Sequence, residues 1–220
     1  MKLHYSNRRI CGLTMIDVLA VIAIVIVLAA LLLPVLAASN RRSSRLNCVS
    51  NVKQVNLAFR IWEDGNNNKY PMAVSVTNGG AMEFIERGDV ADCFRVMSNE
   101  LSTPKVLICP MDREHVPAMD FGANFNNSHI SYFVSPDAEE TYPQMIMTGD
   151  DNFSTNGVQL NPGVVELSTQ FSWTKKRHIN IGNIGYADDS VSEVSDNGLE
   201  QAIVLSTNGT DVLTNRIAIP

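Results

Sequence analysis

Residues 18–38 read VLAVIAIVIVLAALLLPVLAA, a run of 21 residues without a charged or hydrogen-bonding side chain. At about 1.5 Å per residue a helix of this length extends roughly 31 Å, enough to cross the ~30 Å hydrocarbon core of a bilayer. A helix is the expected form in lipid, because every backbone N–H must find its acceptor within the segment. Pro34 cannot donate to the preceding turn, so we expect a helix kink there.

The 220-residue chain as a whole has the composition of a globular protein with an apolar surplus. Apolar residues make up 45% and charged residues 18%, and 17 Lys and Arg against 23 Asp and Glu give a net charge of −6. This acidic balance argues against a nucleic-acid partner, since binding to phosphates needs clustered basic residues. The chain also has no Gly-rich phosphate loop, so we expect no nucleotide hydrolysis.

The helical period continues beyond the apolar run. Apolar side chains recur at spacings of three and four along one face, at Leu46, Val49, Val52, Val55, Phe59 and Trp62. The pattern predicts a single helix over residues 13–63, with a membrane half at 13–40 and an amphipathic half at 41–63. It should end at the Asp-Gly-Asn-Asn-Asn sequence of residues 64–68, which disfavours helix.

Residues 64–220 are predicted to form an α+β domain outside the cytoplasm. A second helix is expected over 81–101, weakened in the middle by Gly88, and a later helix over 198–205. Short strands are predicted at 106–109, 130–134, 145–148, 179–186, 191–194 and 216–219. A long helix followed by short strands indicates a helix packed on a small antiparallel sheet.

Two ordinary interpretations of the N-terminal segment stay open at this point. One is a secretory signal peptide cut near Ala37 or Ala38, although the apolar run is longer than the usual ~7–15 residues. The other is a plain membrane anchor that is never cut. Either would leave a secreted or membrane-anchored binding domain.

The residues before the apolar run favour a third interpretation. Gly12-Leu13-Thr14-Met15-Ile16-Asp17 follows a short leader that contains Lys2, Arg8 and Arg9 and no acid. This arrangement resembles the prepilin-type cleavage and methylation motif of type II secretion pseudopilins and type IV pilin-like proteins. In that family a Gly precedes a Phe-Thr-Leu-Ile-Glu segment. Here Leu13 stands in place of Phe and Asp17 in place of Glu, and both keep the chemical type.

The resemblance implies a leader of residues 1–12 that a prepilin peptidase removes by cutting after Gly12. The same enzyme methylates the new amine of Leu13. A pilin-like fold is implied as well, with Thr14 and Asp17 in assembly. The Asp17 carboxylate would neutralise the N-terminal ammonium of a neighbouring subunit in apolar surroundings.

The implied function is that of a structural subunit, not an enzyme. The expected partners are other pilin or pseudopilin subunits, in a homo- or hetero-polymer, the peptidase and methyltransferase, and an inner-membrane assembly platform. The chain would cross the inner membrane once, with a cytoplasmic N-terminus and a periplasmic or extracellular domain. The alternative is a membrane-anchored or secreted binding domain that forms no fibre.

Three cysteines follow the leader: Cys48, Cys93 and Cys109. Each has the ordinary interpretation of a small buried side chain. A Cys on the long helix and a Cys-Pro after the second helix recur in the pseudopilin-like proteins that the chain resembles. The resemblance therefore implies a Cys48–Cys109 disulfide, with Cys93 free.

A second resemblance lies near the C-terminus. His178, Asp188 and Asp189 stand in a frame similar to the H-x9-D-G element of many prepilin-like proteins, with Asp189 in place of the Gly. We expect a structural turn that is strained or reshaped where a left-handed Gly is missing. A membrane-anchored hydrolase that uses His178 and Asp188 is a distant alternative, because no nucleophile motif accompanies them.

Metal-ligand spacings such as H-x-x-x-H or C-x-x-C are absent from the sequence. Asp150, Asn152 and Ser154 offer oxygen atoms at alternate positions, as calcium loops do. Several secretion pseudopilins bind calcium in their terminal loops, so these residues are the calcium candidates. Loops rich in Asn and Asp are more often simple turns, and no other cofactor is expected.

Overall fold

The computed structural model describes residues 15–207 and 215–220, apart from the side chains at 35, 37 and 38. Its first element is helix α1, Met15–Asp64, which contains 50 residues. The chain divides into two compact units, and the boundary lies within α1, between Ser43 and Ser44. The long helix predicted from the apolar pattern is therefore present, and each unit contains one part of it.

The first unit consists, in its described part, of the apolar half of α1. Every side chain from residue 15 to residue 34 is exposed. The most apolar window has a mean hydropathy of 3.3, so this helix is long and apolar enough to cross a membrane. The helix is not interrupted at Pro34, and the kink expected there stays a prediction.

The second unit contains the rest of α1, which buries one face of the helix and exposes the other. Apart from Ala58, its buried apolar side chains recur at alternating spacings of four and three, at Cys48, Val52, Val55, Phe59 and Trp62. The predicted stripe is wrong at its start, because Leu46 is 62% exposed. Three residues turn a helix only about 300°, so the successive spacings of three that begin at Leu46 drift away from the buried face.

Two local predictions between residues 81 and 109 are wrong. In place of one helix over 81–101 the structure has α2 at Met82–Ile85, α3 at Val90–Val96 and α4 at Ser98–Leu101. Gly88 adopts a φ of +79°, which ends the first segment. The expected strand at 106–109 is instead a 3-10 helix, Pro104–Leu107, because Pro104 fits its first position and the Thr103 side chain caps it.

Nine antiparallel strands, one further α-helix and three short 3-10 helices (Pro71–Ala73, Val76–Asn78 and Asn127–His129) complete the described part of the second unit. The strands are β1 Tyr132–Val134, β2 Ile146–Asp150, β3 Phe153–Thr155, β4 Val158–Gln159, β5 Gly163–Glu166, β6 Phe171–Trp173, β7 Ile181–Tyr186, β8 Val191–Ser195 and β9 Arg216–Ile219, and the helix is α5 Asp196–Thr207. They form a six-stranded sheet in the order β5-β9-β1-β2-β7-β8 and a three-stranded sheet in the order β4-β3-β6. The sequence did not predict β3 to β6.

The central strands of the six-stranded sheet are buried on both faces, whereas the edge strands β5 and β8 are half-buried or exposed. Along β1, Tyr132 and Val134 join the core that contains the buried face of α1, whereas Phe133 joins a second core with Leu199 and Ile203 of α5. Successive side chains of a strand point to opposite faces, so this alternation separates two apolar layers. The architecture is α+β, with a long N-terminal helix and a small antiparallel sheet.

A buried acid lies at the C-terminal end of α1. The Glu63 side chain is only 2% exposed. Burial, followed by a hydrogen bond to Glu140 and the charge of Glu140, raises its pKa to about 7, against the charge of Arg60. The folded domain therefore favours the protonated carboxyl at mildly acidic pH.

Stability should consequently fall as the pH rises from about 4.5 to about 7. Between these values the folded chain keeps a proton that the unfolded chain has lost, so the free energy of unfolding decreases by at most about 1.4 kcal/mol per pH unit. Urea unfolding of the detergent-solubilised chain at several pH values measures this slope. Glu63→Gln should remove this part of the slope, and Glu139→Gln, a change at an exposed acid, should not. Equal slopes in the wild type and Glu63→Gln would contradict this assignment.

Candidate functional site

Four side chains with metal-binding or redox chemistry meet in the core of the second unit: Cys48, Cys109, Asp150 and His178. One donor atom from each, two sulfurs, a carboxylate oxygen and a ring nitrogen, all lie within 4.8 Å of one another. None of the four residues is more than 1% exposed. These four residues are called the tetrad below.

Secondary structure explains why the tetrad assembles. Cys48 lies on the buried face of α1, one turn before Val52. Asp150 ends β2, where the antiparallel register places it opposite Tyr132 of β1. Cys109 and His178 come from connecting segments, before β1 and before β7 respectively.

The closest contacts in the tetrad connect all four residues. Cys109 Sγ lies 3.1 Å from His178 Nε2. The same nitrogen lies 3.6 Å from Asp150 Oδ2. Cys48 Sγ donates to Asp150 Oδ1 over 3.4 Å. Asp150 is therefore shared between the thiol of the helix and the imidazole of the loop.

Polar groups around the tetrad fix the carboxylate and one sulfur. The Asn183 backbone N–H and its Nδ2 donate to Asp150 Oδ2 over 2.7 and 2.9 Å. Asn183 Nδ2 also donates to Cys48 Sγ over 3.2 Å. The Tyr132 hydroxyl lies 3.5 Å from the same sulfur. His178 Nδ1, by contrast, has no hydrogen-bond partner among the described residues.

The two thiols of the tetrad differ in their acidity. The interaction with the Cys48 thiol lowers the pKa of Cys109 to about 6, against the effect of burial and with help from His178. The same interaction between the two thiols, burial and the charge of Asp150 raise the pKa of Cys48. Burial lowers the pKa of His178, but the hydrogen bond to Cys109 and the charge of Asp150 outweigh it and raise that pKa. The tetrad thus favours a thiolate at Cys109 beside an imidazolium.

This arrangement differs from a Cys-His-Asp catalytic relay. In a relay the acid contacts the ring nitrogen opposite the nucleophile and holds the tautomer. Here the sulfur and the carboxylate both approach Nε2 of His178, and Cys109 is fully buried. The donor set of two sulfurs, one nitrogen and one oxygen is instead suited to a metal ion, or to a disulfide between the two sulfurs.

A second buried ionic cluster adjoins the tetrad through neighbouring residues in the chain. Arg177 is 2% exposed at its side chain and lies 2.6 Å from Asp112 Oδ2, and it also pairs with Asp151. His115 contacts the same Asp112 oxygen over 2.8 Å. Burial raises the pKa of Asp151 to about 6. Burial also opposes ionisation of Asp112, but hydrogen bonds from His115 and the charge of Arg177 lower its pKa.

The structure describes some of the residues predicted for processing and disulfide formation and not others. Gly12, Leu13 and Thr14 lie outside the described residues, and Asp17 lies in the exposed part of α1. Cys48 and Cys109 lie together, as the predicted disulfide requires, and both are free thiols in the structure. The disulfide therefore stays a prediction.

The C-terminal motif is divided between two places. His178 belongs to the tetrad, whereas the Asp188 carboxylate accepts from the Ser190 N–H over 2.9 Å in the turn between β7 and β8. Asp189 adopts a φ of +66°, so this turn has a left-handed residue where the motif has its Gly. His178 and Asp188 have different partners, and the acid beside His178 is Asp150.

The three calcium candidates also have different partners. Asp150 belongs to the tetrad, the Asn152 side-chain amide donates to Thr174 Oγ1 over 3.2 Å, and the Ser154 hydroxyl pairs with that of Ser172 over 2.9 Å. Asp150 was thus a metal candidate in the sequence, but it lies with sulfur and nitrogen donors.

Comparison with known proteins identifies no relative. No protein-family model matches this chain, and no curated protein or solved structure matches it significantly.

Removal of one partner from the Arg177 cluster should destabilise the second unit strongly. Asp112→Asn leaves the buried guanidinium with one carboxylate fewer, and loss of a buried ion-pair partner typically costs about 3–5 kcal/mol. Urea unfolding of the full chain in detergent measures the difference. The matched control is Glu114→Gln, which breaks a pair with Lys176 whose side chains are 53% and 40% exposed and should cost less than about 1 kcal/mol. Equal effects of the two variants would contradict the structural role of Asp112.

Proposed function

We propose that this chain is a structural subunit of a type II secretion pseudopilus or of a type IV pilus-like fibre, and that it is anchored in the inner membrane before assembly. The observation that carries the proposal is the unequal burial of α1. The part of α1 in the first unit is apolar and exposed, and the part in the second unit belongs to the core of that unit.

The apolar half of α1 needs partners that the described part of the chain does not supply. Between residues 15 and 34 the exposed side chains lie on every side of the helix. A helix that is apolar all round is stable only in lipid or among other apolar helices. A membrane meets this requirement for the monomer, and the helices of neighbouring subunits meet it in a fibre.

The position of Asp17 supports assembly over simple anchoring. It precedes the uncharged run of residues 18–38, where a plain anchor gains nothing from a carboxylate. Acids within or beside membrane spans are costly and usually mark a function. In the proposed fibre, cleavage after Gly12 frees the Leu13 amine, and Asp17 of one subunit neutralises the ammonium of the next.

The second unit would form the outer part of such a fibre, in a pilin-like fold. The partners are other pilin or pseudopilin subunits, the prepilin peptidase and the assembly platform. We infer a structural function without catalysis, because the tetrad is buried and lacks relay geometry. A calcium ion bound through Asp150, Asn152 and Ser154 is not part of the proposal, since their side chains have separate partners.

Processing should depend on Gly12. The residue before the cut must fit a restricted site at the membrane surface, and Gly presents no side chain. Gly12→Val should therefore leave the leader attached, so that the intact mass of the membrane protein includes residues 1–12. The N-terminus of the wild type should be Leu13. A start near Ser39 would indicate secretion instead, and a retained Met1 would indicate a plain anchor.

Assembly should depend on the charge of Asp17. Asp17→Val leaves a neighbouring ammonium without its counter-ion in hydrocarbon, which costs several kcal/mol per subunit. The variant should insert and be cleaved but should yield at least tenfold fewer cross-linked multimers or sheared fibres than the wild type. The matched control, Asp17→Glu, keeps the charge and should assemble. Normal multimers from Asp17→Val would leave only a membrane anchor.

A further inference from the structure

We propose that the tetrad binds one zinc ion, held by Cys48 Sγ, Cys109 Sγ, His178 Nε2 and one carboxylate oxygen of Asp150. This site is independent of fibre assembly, since all its ligands lie in the second unit. It would join α1 to β2 and to two connecting segments.

The distances fit a tetrahedral metal site. Zinc bonds of about 2.0–2.3 Å give ligand-to-ligand edges of about 3.3–3.8 Å in a regular tetrahedron. The observed contacts are 3.1 Å from Cys109 Sγ to His178 Nε2, 3.6 Å from His178 Nε2 to Asp150 Oδ2 and 3.4 Å from Cys48 Sγ to Asp150 Oδ1. The last two contacts involve different oxygens of the carboxylate, one of which would bind the ion. All four donor atoms lie within 4.8 Å of one another, so small side-chain shifts would close the site around an ion.

The chemistry of the donors selects the metal. Calcium and magnesium take oxygen ligands, and here only Asp150 supplies one. Two sulfurs with an imidazole favour a borderline-soft ion in tetrahedral geometry, and zinc is the common choice in proteins. With four protein ligands and complete burial, the site is of the closed, structural kind.

A supporting shell is already in place around the tetrad. Asn183 donates to both Asp150 Oδ2 and Cys48 Sγ, and the Tyr132 hydroxyl adjoins Cys48 Sγ. Such outer contacts orient metal ligands and typically contribute about 10–100-fold to metal affinity.

A Cys48–Cys109 disulfide would use the same two sulfurs. It would remove both thiolates and leave His178 and Asp150 without a metal-binding role. The disulfide and the zinc site therefore exclude each other in any one molecule, and a single set of measurements distinguishes them.

The test uses the full chain, expressed with its membrane segment and purified in detergent under reducing conditions with added zinc. Elemental analysis after removal of free metal should give one zinc per chain in the wild type. Cys93→Ser is the matched control, because Cys93 is equally buried but lies outside the tetrad, and it should retain the full amount. Cys109→Ser and His178→Ala should retain at least tenfold less. Asn183→Ala should bind zinc about 10–100-fold more weakly in competition with a chelator.

Cobalt(II) keeps the test decisive if a tetrad variant fails to fold. Wild type and Cys93→Ser, loaded with cobalt, should both show the thiolate-to-cobalt charge-transfer absorption and the intense visible bands of a tetrahedral site. The proposal is overturned if neither protein shows these bands. It is equally overturned if peptide mapping of the chain extracted from membranes without any reductant finds Cys48 linked to Cys109 and no metal bound, or if well-folded Cys109→Ser binds as much zinc as Cys93→Ser.

Discussion

The burial of one carboxylate, that of Asp150, constrains the whole second unit. A carboxylate with no solvent exposure is stable only when hydrogen bonds or opposite charges surround it. Here its contacts come from Cys48 on α1, Asn183 on β7 and the loop residue His178. These segments are far apart in sequence, so the helix position, the strand register and the loop conformation must all be correct together for the charge to be satisfied.

Consecutive residues of the chain alternate between the two buried polar clusters. Asp150 and His178 belong to the tetrad. Asp151, which follows Asp150, and Arg177, which precedes His178, pair with each other in the adjoining cluster. The end of β2 and the segment before β7 are thus joined twice, once in each cluster. This double connection fixes the loop that carries His178, although that loop has no regular secondary structure. A loop fixed in this way can hold a ligand geometry that a free loop could not.

The sequence predicted most of the framework and little of the site. The length and polarity of α1 follow from periodicity over many residues, and five of the six predicted strands exist because their apolar runs are bounded by turns. The single helix predicted over 81–101 does not form, because the left-handed conformation of Gly88 outweighs the apolar spacing. Strands β3 to β6 were not predicted because they are short and lack a clear apolar pattern. Cys48 and Cys109 were paired only through a family resemblance. Nothing local in the sequence indicates that Asp150 and His178 join them, because this proximity arises from strand pairing between distant segments.

The place of the tetrad along α1 gives a reason for a cross-link there. Cys48 is the first fully buried residue of α1 among the side chains that the structure describes, so the tetrad lies where the helix begins to pack into the domain core. In a fibre, tension along α1 would separate the helix from the core at this end first, because each buried residue beyond Cys48 is protected until the one before it is released. Apolar contacts are short-ranged and are lost one at a time under such a load. A Cys48–Cys109 disulfide would close a loop of about 60 residues and restrict the unfolded chain by about 4 kcal/mol. A zinc ion in place of the disulfide would also hold β2 and the loop of His178, so the load at the first buried turn would be shared by four segments of the domain.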